Sequence, residues 1–377
     1  MARDLSEHPY FERWTDPETG VESLILIERV APLQKGLYYA TPSISTDGRW
    51  LWFYGAFPPA KRWTVAAVCL DPDQPAIRLF PAAVGGGNPL VAPEGNAAYV
   101  VVGDGVYYQP FDGDLRQVLR MPRDIIANRY LFGLVTDLTI SADGKHFLLD
   151  SHIGNRWLIS IADVATGQVT PLRWFNRCHH HAQFSPVDPT LILVGQGPWH
   201  DPITGDKGDM NVRLWIMDTA LTRYEPVFGD LWFNHNSKSC HEWWSADGRV
   251  CWVDYDDGVY ECELAARTRE LVWPHHLLCH AQCDAARRFY CADENPYNPS
   301  PERPCRVVFF DRHAGREVAI VSRMPLPPLP PGDWRSYHLD PHPHFSPDGQ
   351  WIVYTTLARG KVDVALTSVP GVRERLE

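Results

Sequence analysis

Residues 342–356 read HPHFSPDGQWIVYTT. The stretch is two short strands around a tight turn. Asp348 and Gly349 tolerate the positive φ that a hairpin turn demands, and Trp351–Thr356 is β-branched and aromatic enough to be a strand. The same figure stands six more times upstream: TPSISTDGRWLWFYG, NPLVAPEGNAAYVVVG, DLTISADGKHFLLD, HAQFSPVDPTLILVG, HEWWSADGRVCWVDY and HAQCDAARRFYCAD. The seven copies begin at Thr41, Asn88, Asp137, His181, His241, His280 and His342, with spacings of 47, 49, 44, 60, 39 and 62 residues.

Strand pairs recurring at about 40–50 residues are the signature of a propeller blade. Further strand candidates, Trp157–Ile161 and Val307–Asp311, lie between copies. The expected fold is all-β, a seven-bladed β-propeller spanning 1–377 as one domain. Two packed β-sandwiches would need a linker or a composition break, and none divides the chain. The apolar segment Ser23–Val30 is expected to close the ring by pairing with the last blade, which removes an exposed edge. Arg123–Phe132 is the best helical stretch.

Composition sets the outer limits. With 45% hydrophobic and 21% charged residues the chain is globular, not disordered. Its longest apolar runs, such as Thr64–Leu70, are too short to span a bilayer, and the polar start MARDLSEHPYFERW lacks a signal-peptide core. A net charge of −11 argues against nucleic-acid binding. Nine cysteines, an odd number without a CxxC pair, read as reduced thiols of a cytoplasmic protein. The expectation is a monomer or weak oligomer with no membrane or nucleic-acid partner.

Equivalent repeat positions occupy equivalent places around a propeller axis. Position one reads Thr, Asn, Asp, His, His, His, His, so His181, His241, His280 and His342 should converge on one mouth of the channel. Position three, Ser43 through Gln183, Trp243, Gln282 and His344, should share that face because side chains alternate along a strand. Thirteen of the 16 histidines fall between His179 and His344, which assigns the polar mouth to blades four to seven. Of the neighbours His179 and His180, one at most should turn with His181 toward the axis.

Converging imidazoles suit a borderline divalent cation such as manganese, zinc or nickel, with a carboxylate completing the shell. SYHLDPHPH, residues 336–344, adds His338, Asp340, His342 and His344 at two-residue spacing. Proline at 341 and 343 favours an extended backbone, which would point all four to one side. His280 and His342, joined by some of His338, Asp340 and His344, are therefore the candidate ligands.

NVRLWIMDT, SCHEWWSADG, LLCHAQCD and HPHFSPDG, in this order, resemble oligogalacturonate lyase, as does HAQFSPVDPTLILVGQGPWHD. The resemblance covers residues 176–356, about half the chain. It implies a seven-bladed propeller that cuts uronate-containing oligosaccharides by β-elimination with a bound divalent metal, manganese first, with zinc, nickel or calcium as alternatives. His241 matches the family's catalytic base, Arg213 its catalytic arginine and His280 a metal ligand. The family's last blade reads Q-x-x-H-x-H. One register puts His342 on the last His, with Asp340 and Tyr337 at the other two places. The other puts His342 and His344 on the pair, with Leu339 at the Gln. Lyases of other uronic-acid glycans, such as ulvan, share the architecture.

β-Elimination removes the C5 proton of a uronic acid and breaks the C4–O bond. Negative charge develops on the carboxylate, so a cation or Arg213 must meet it, and a neutral imidazole suits the proton. Positive charge focused in one cleft lets an acidic protein take an acidic oligosaccharide. His181 and His200 stand behind His241 as bases. Trp199, Trp243 and Lys207 are candidate substrate contacts, and the Gly-rich loop 195–211 is long enough to cap the mouth. Trp232, Trp244 and Trp334 lie near the same segments. A non-catalytic binding platform and a metal-dependent hydrolase are the competing classes.

Overall fold

The computed structural model describes residues 5–85, 87–197, 199–200, 204, 207–208, 212–227, 238–297, 299–326 and 337–376, with backbone alone at 199–200 and 207–208. Seven antiparallel sheets of four or five strands form a seven-bladed β-propeller. Blade five is typical: Ser239–Trp244, Val250–Asp254, Gly258–Glu263 and Thr268–Pro274 run from the axis outward. The innermost strands of blades four, five, six and seven touch in sequence around the channel. Among the described residues no helix is long and apolar enough to cross a membrane. All nine cysteines are free thiols.

The repeated turn has a repeated cause. Ser45 Oγ donates to Asp47 Oδ1 at 2.6 Å and accepts from Trp50 N at 3.0 Å, while Gly48 takes φ of 68°. Ser141, Ser245 and Ser346 make the same bond to Asp143, Asp247 and Asp348, each followed by a glycine at positive φ. A side chain that ties its own turn makes the hairpin nearly independent of context.

Closure goes further than the sequence reading. Glu22–Leu26 pairs with Asp363–Ser368 through Leu24 and Leu366, as expected. Phe11–Thr15 then adds outside it, so the N-terminus supplies the two outer strands of blade seven. Ser23 Oγ sits 2.6 Å from Thr367 Oγ1 and accepts from Tyr354 OH at 2.7 Å. Asp16 accepts from Ser322 N and Oγ, both at 2.8 Å, and so fastens this hairpin to blade six.

Two elements differ from the reading. The helix ends after Arg123–Ile126, because Ala127 and Asn128 adopt left-handed backbone at φ of 47° and 61°, and Leu131–Gly133 becomes a strand. In blade one the inner edge is split: Leu33–Lys35 pairs with Trp50–Ala56, and Ile44 bridges Leu51 farther on. The excursion between them carries Tyr38 and Tyr39, both buried, into the channel.

Deleting residues 1–30 leaves the strand Asp363–Ser368 as an open edge. The expected outcome is a fall in Tm of about 5 °C or more and new high-mass species on size exclusion. An unchanged Tm in a monodisperse protein would count against ring closure by this segment.

Candidate active site and metal centre

The first residues of the repeats meet at one mouth. Asn88 Nδ2 donates to Asp137 Oδ1, and Asp137 Oδ2 lies 2.9 Å from His181 Nδ1. On the other side the His241 and His280 rings are 4.1 Å apart and the His280 and His342 rings 4.2 Å. Tyr38 floors the site: its ring lies 5.9 Å from His181, 5.8 Å from His280 and 4.9 Å from His342. Tyr39, 5.4 Å from His280, is held by its OH donating to Glu242 O.

The mouth-side strands are not regular. Register breaks between His180 and Gln183, between Cys240 and Trp243, and between Leu278 and Ala281. His181, His241, His338 and His342 take φ of 51°, 53°, 47° and 47°, left-handed values uncommon for a side chain with a Cβ. Such bulges re-aim side chains. Positions one and three therefore do not share a face. Position three instead clamps neighbouring blades. Gln183 Nε2 donates to Glu242 O at 2.8 Å, and Gln282 Oε1 accepts from Phe345 N at 2.6 Å.

His280, His338, Asp340 and His342 place one ligand atom each within 4.8 Å of one another. His338 Nε2 is 3.0 Å from Asp340 Oδ2 and His342 Nε2 is 4.0 Å from it. Both ring nitrogens of His342 are buried without a hydrogen bond, and Asp340 Oδ2 has the His338 ring beside it. Buried polar atoms do not stay unpartnered without a cost, and an imidazole with neither nitrogen used is the donor set a divalent cation completes. Burial, followed by the charge of neighbouring rings, pushes the His342 pKa well below the ordinary imidazole value. The residues present fit a metal.

Of the two registers taken from the resemblance, the first keeps Asp340 and His342 in the group but not Tyr337, and the second keeps only His342. Tyr337 and Leu339 point into the apolar core at 2% and 4% exposure, while His338, Asp340 and His342 alternate toward the site. His344 stands outside the group. The left-handed turn at His342 redirects it, and its ring meets His342 O at 2.9 Å through Nδ1 and Ser43 N at 3.2 Å through Nε2.

Asp293, which sequence reading missed, organises the cluster. Its carboxylate accepts from His280 N at 2.8 Å, His280 Nδ1 at 2.9 Å and His342 N at 3.1 Å, all fully buried. A carboxylate on the far ring nitrogen fixes the tautomer and leaves Nε2 for a metal. The available signal was an acid at one repeat position of the second strand in three blades. Asp150 holds Thr136 N and Ala182 N, and Asp254 accepts from Ser239 Oγ. Lys35 was missed too. Its Nζ donates to His338 O at 3.0 Å, and burial lowers its pKa to about 8 against the pull of Asp340.

His241 is half-buried beside the cluster. Its Nδ1 lies 2.7 Å from Cys279 O, so Nδ1 carries the hydrogen and Nε2 the lone pair. Burial first, then the charges of His280 and Arg213, depress its pKa well below the ordinary value. His241, Cys279 and His280 form a second group within the same span, but there His241 Nδ1 is already committed.

Arg213 does not present a free fork. Nε and Nη2 grip Glu242 at 3.1 and 3.0 Å, and Nη1 reaches His180 Nε2 at 2.9 Å. Gly195 makes room: a Cβ there would stand 2.3 Å from Glu242 Oε1 and 3.2 Å from Arg213 Cζ. Of the paired neighbours, His180 turns inward and His179 outward, stacking on Phe175 and meeting Tyr224 OH at 2.8 Å. Trp243, expected against sugar, is 3% exposed and packed with Tyr39 in the core between blades five and six. The side chains of Trp199, His200 and Lys207, together with Trp232 and Trp334, lie outside the described residues.

Two solved structures lie close to this one. The oligogalacturonate lyase in complex with manganese superposes with a TM-score of 0.75 at 18% identity, covering 96% of each chain. The chain has the oligogalacturonate lyase fold. The enzyme of that name from Vibrio parahaemolyticus also gives 0.75, at 15% identity over 96% of this chain and 97% of its own. No protein-family model matches the sequence, and no curated protein does.

Two measurements check the site. Asp293→Asn should weaken binding of manganese to the purified protein by about 10–100-fold in calorimetry, since it removes the carboxylate behind two ligands. An unchanged affinity would exclude that support. Burial lowers the His179 pKa to about 4. The unfolded ring takes its proton near pH 6.5 and the folded ring only near 4, so stability is full above 6.5 and is lost as pH falls between them. Metal-free protein should therefore melt lower at pH 5 than at pH 7.5, and His179→Phe should shrink that difference.

Proposed function

We propose that the protein is a metal-dependent lyase that cleaves uronate-containing oligosaccharides, of the oligogalacturonate kind, by β-elimination. One observation carries the reading: a buried His/Asp cluster with orphaned ligand atoms sits beside a half-buried imidazole whose tautomer leaves Nε2 free. His280, His338, Asp340 and His342 would hold the cation, with manganese our first choice because the similar lyase is a manganese complex. A divalent cation there supplies the positive charge that a uronate carboxylate needs as negative charge develops on it.

The chain's own residues do the rest. His241, kept neutral by burial, accepts the C5 proton on Nε2 and donates Nδ1–H to Cys279 O. Arg213 acts through its neighbours. Its grip on Glu242 fixes the strand that presents His241, and its bond to His180 holds that imidazole as a neutral acceptor. Tyr38 closes the floor against water. Trp199, Lys207 and His200, on the loop after blade four's second strand, are our candidates for contacts to neighbouring sugars. Nine free thiols suit a reducing cytoplasm.

The test is turnover of a panel of uronate oligomers by manganese-loaded protein, followed by ultraviolet absorbance and mass spectrometry. An unsaturated uronate is expected, and chelation should abolish it. His241→Ala should lower turnover by about 10²–10⁴ with metal content intact. Cleavage that adds water and gives no absorbance would make the protein a hydrolase. Binding without cleavage would make it a platform.

A further inference from the structure

A second half-exposed imidazole at the mouth has no part in the chemistry so far. We propose that His181 is the general acid, donating its Nε2 proton to the departing glycosidic oxygen as the C4–O bond breaks. This rests on the β-elimination reading above. The balance is closed: the C5–H pair becomes the new C4=C5 bond, the C4–O pair stays on oxygen, and the His181 proton makes it a hydroxyl. His241 then releases its proton to water and His181 regains one.

The geometry separates the two histidines. His241 Nδ1 faces a neutral backbone carbonyl. His181 Nδ1 faces the carboxylate of Asp137, which is 1% exposed. That carboxylate is itself built in, taking Asn88 Nδ2 on its other oxygen, while Asn88 Oδ1 takes Tyr54 OH at 2.9 Å. Nδ1 of His181 therefore always carries hydrogen, and only Nε2 can exchange. The side chain keeps 19% exposure where His280 and His342 are buried, so part of the ring is open to the mouth. His181 and His342 border the same Tyr38 ring, so acid and metal cluster flank one small floor.

The groups facing His181 are acidic on balance. Asp137 and Glu242 stand against Arg213; Asp150, which burial pushes up to about 7, adds only part of a charge, and His180, His241 and Tyr38 are the remaining titratable neighbours. Burial alone would lower the ring's pKa, but the Asp137 bond and charge more than offset it and leave it raised. Paired groups pushed in opposite directions from their ordinary value are how one site runs acid and base together.

The experiment uses the manganese-loaded full chain in deuterated buffer, reading unsaturated product by absorbance and C5 deuterium in recovered substrate by mass spectrometry. His181→Gln should lower elimination by about 10²–10⁴ while C5 exchange continues and Tm and metal content hold. Asp137→Asn keeps the imidazole but removes its carboxylate, and should give the same split. Elimination above about a tenth of wild type in His181→Gln, or loss of exchange together with elimination, overturns the assignment. Failure of the underlying lyase reading is distinct: it shows in wild-type protein, as absence of unsaturated product.

Discussion

One buried carboxylate carries the site. Asp293 has no exposure, and its two oxygens hold the backbone and ring of His280 and the backbone of His342. Those two histidines come from different blades, so a single side chain sets the spacing between them. Hydrogen bonds to a charged acceptor are worth about 1.5–3 kcal/mol each, and leaving such a charge unpaired in the interior costs more than that. The left-handed residues at His181, His241 and His342 are affordable only because bonds of this kind surround them. Asp137 and Asp150 do for blades three and four what Asp293 does for six and seven.

The sequence was legible where each repeat speaks for itself. The Ser-x-Asp-Gly turn of four repeats closes on its own atoms, so those hairpins can be recognised without knowing their neighbours, and the other three follow from the shared spacing. The histidines at position one were legible because a closed ring gives equal positions equal places. What was not legible depends on contacts between blades. Alternation assigned His344 and Trp243 to the mouth, and the bulges sent them elsewhere. Tyr38 and Tyr39 enter the channel on an excursion of blade one that leaves no trace in the repeat. Arg213 reads as a free cation until Glu242, 29 residues on, is seen beside it.

Charge distribution follows from the same architecture. A net charge of −11 repels an acidic ligand at a distance. At the mouth three acids are engaged inside the protein, Asp137 with His181, Glu242 with Arg213 and Asp293 with His280, and Asp340 belongs to the candidate cation cluster. Their negative charge is spent inside the protein. The faces left for a ligand are imidazole edges, and Lys35 lies just behind the cluster.

The join at blade seven has a consequence for the order in which the molecule is made. Glu22–Leu26 leaves the ribosome long before its partner Asp363–Ser368. The candidate ligands at 338–342 belong to the same late segment. Through most of synthesis the early strand waits unpaired and His280 waits alone. Ring and candidate cation site are thus completed in one event, and a chain truncated before this final blade has neither.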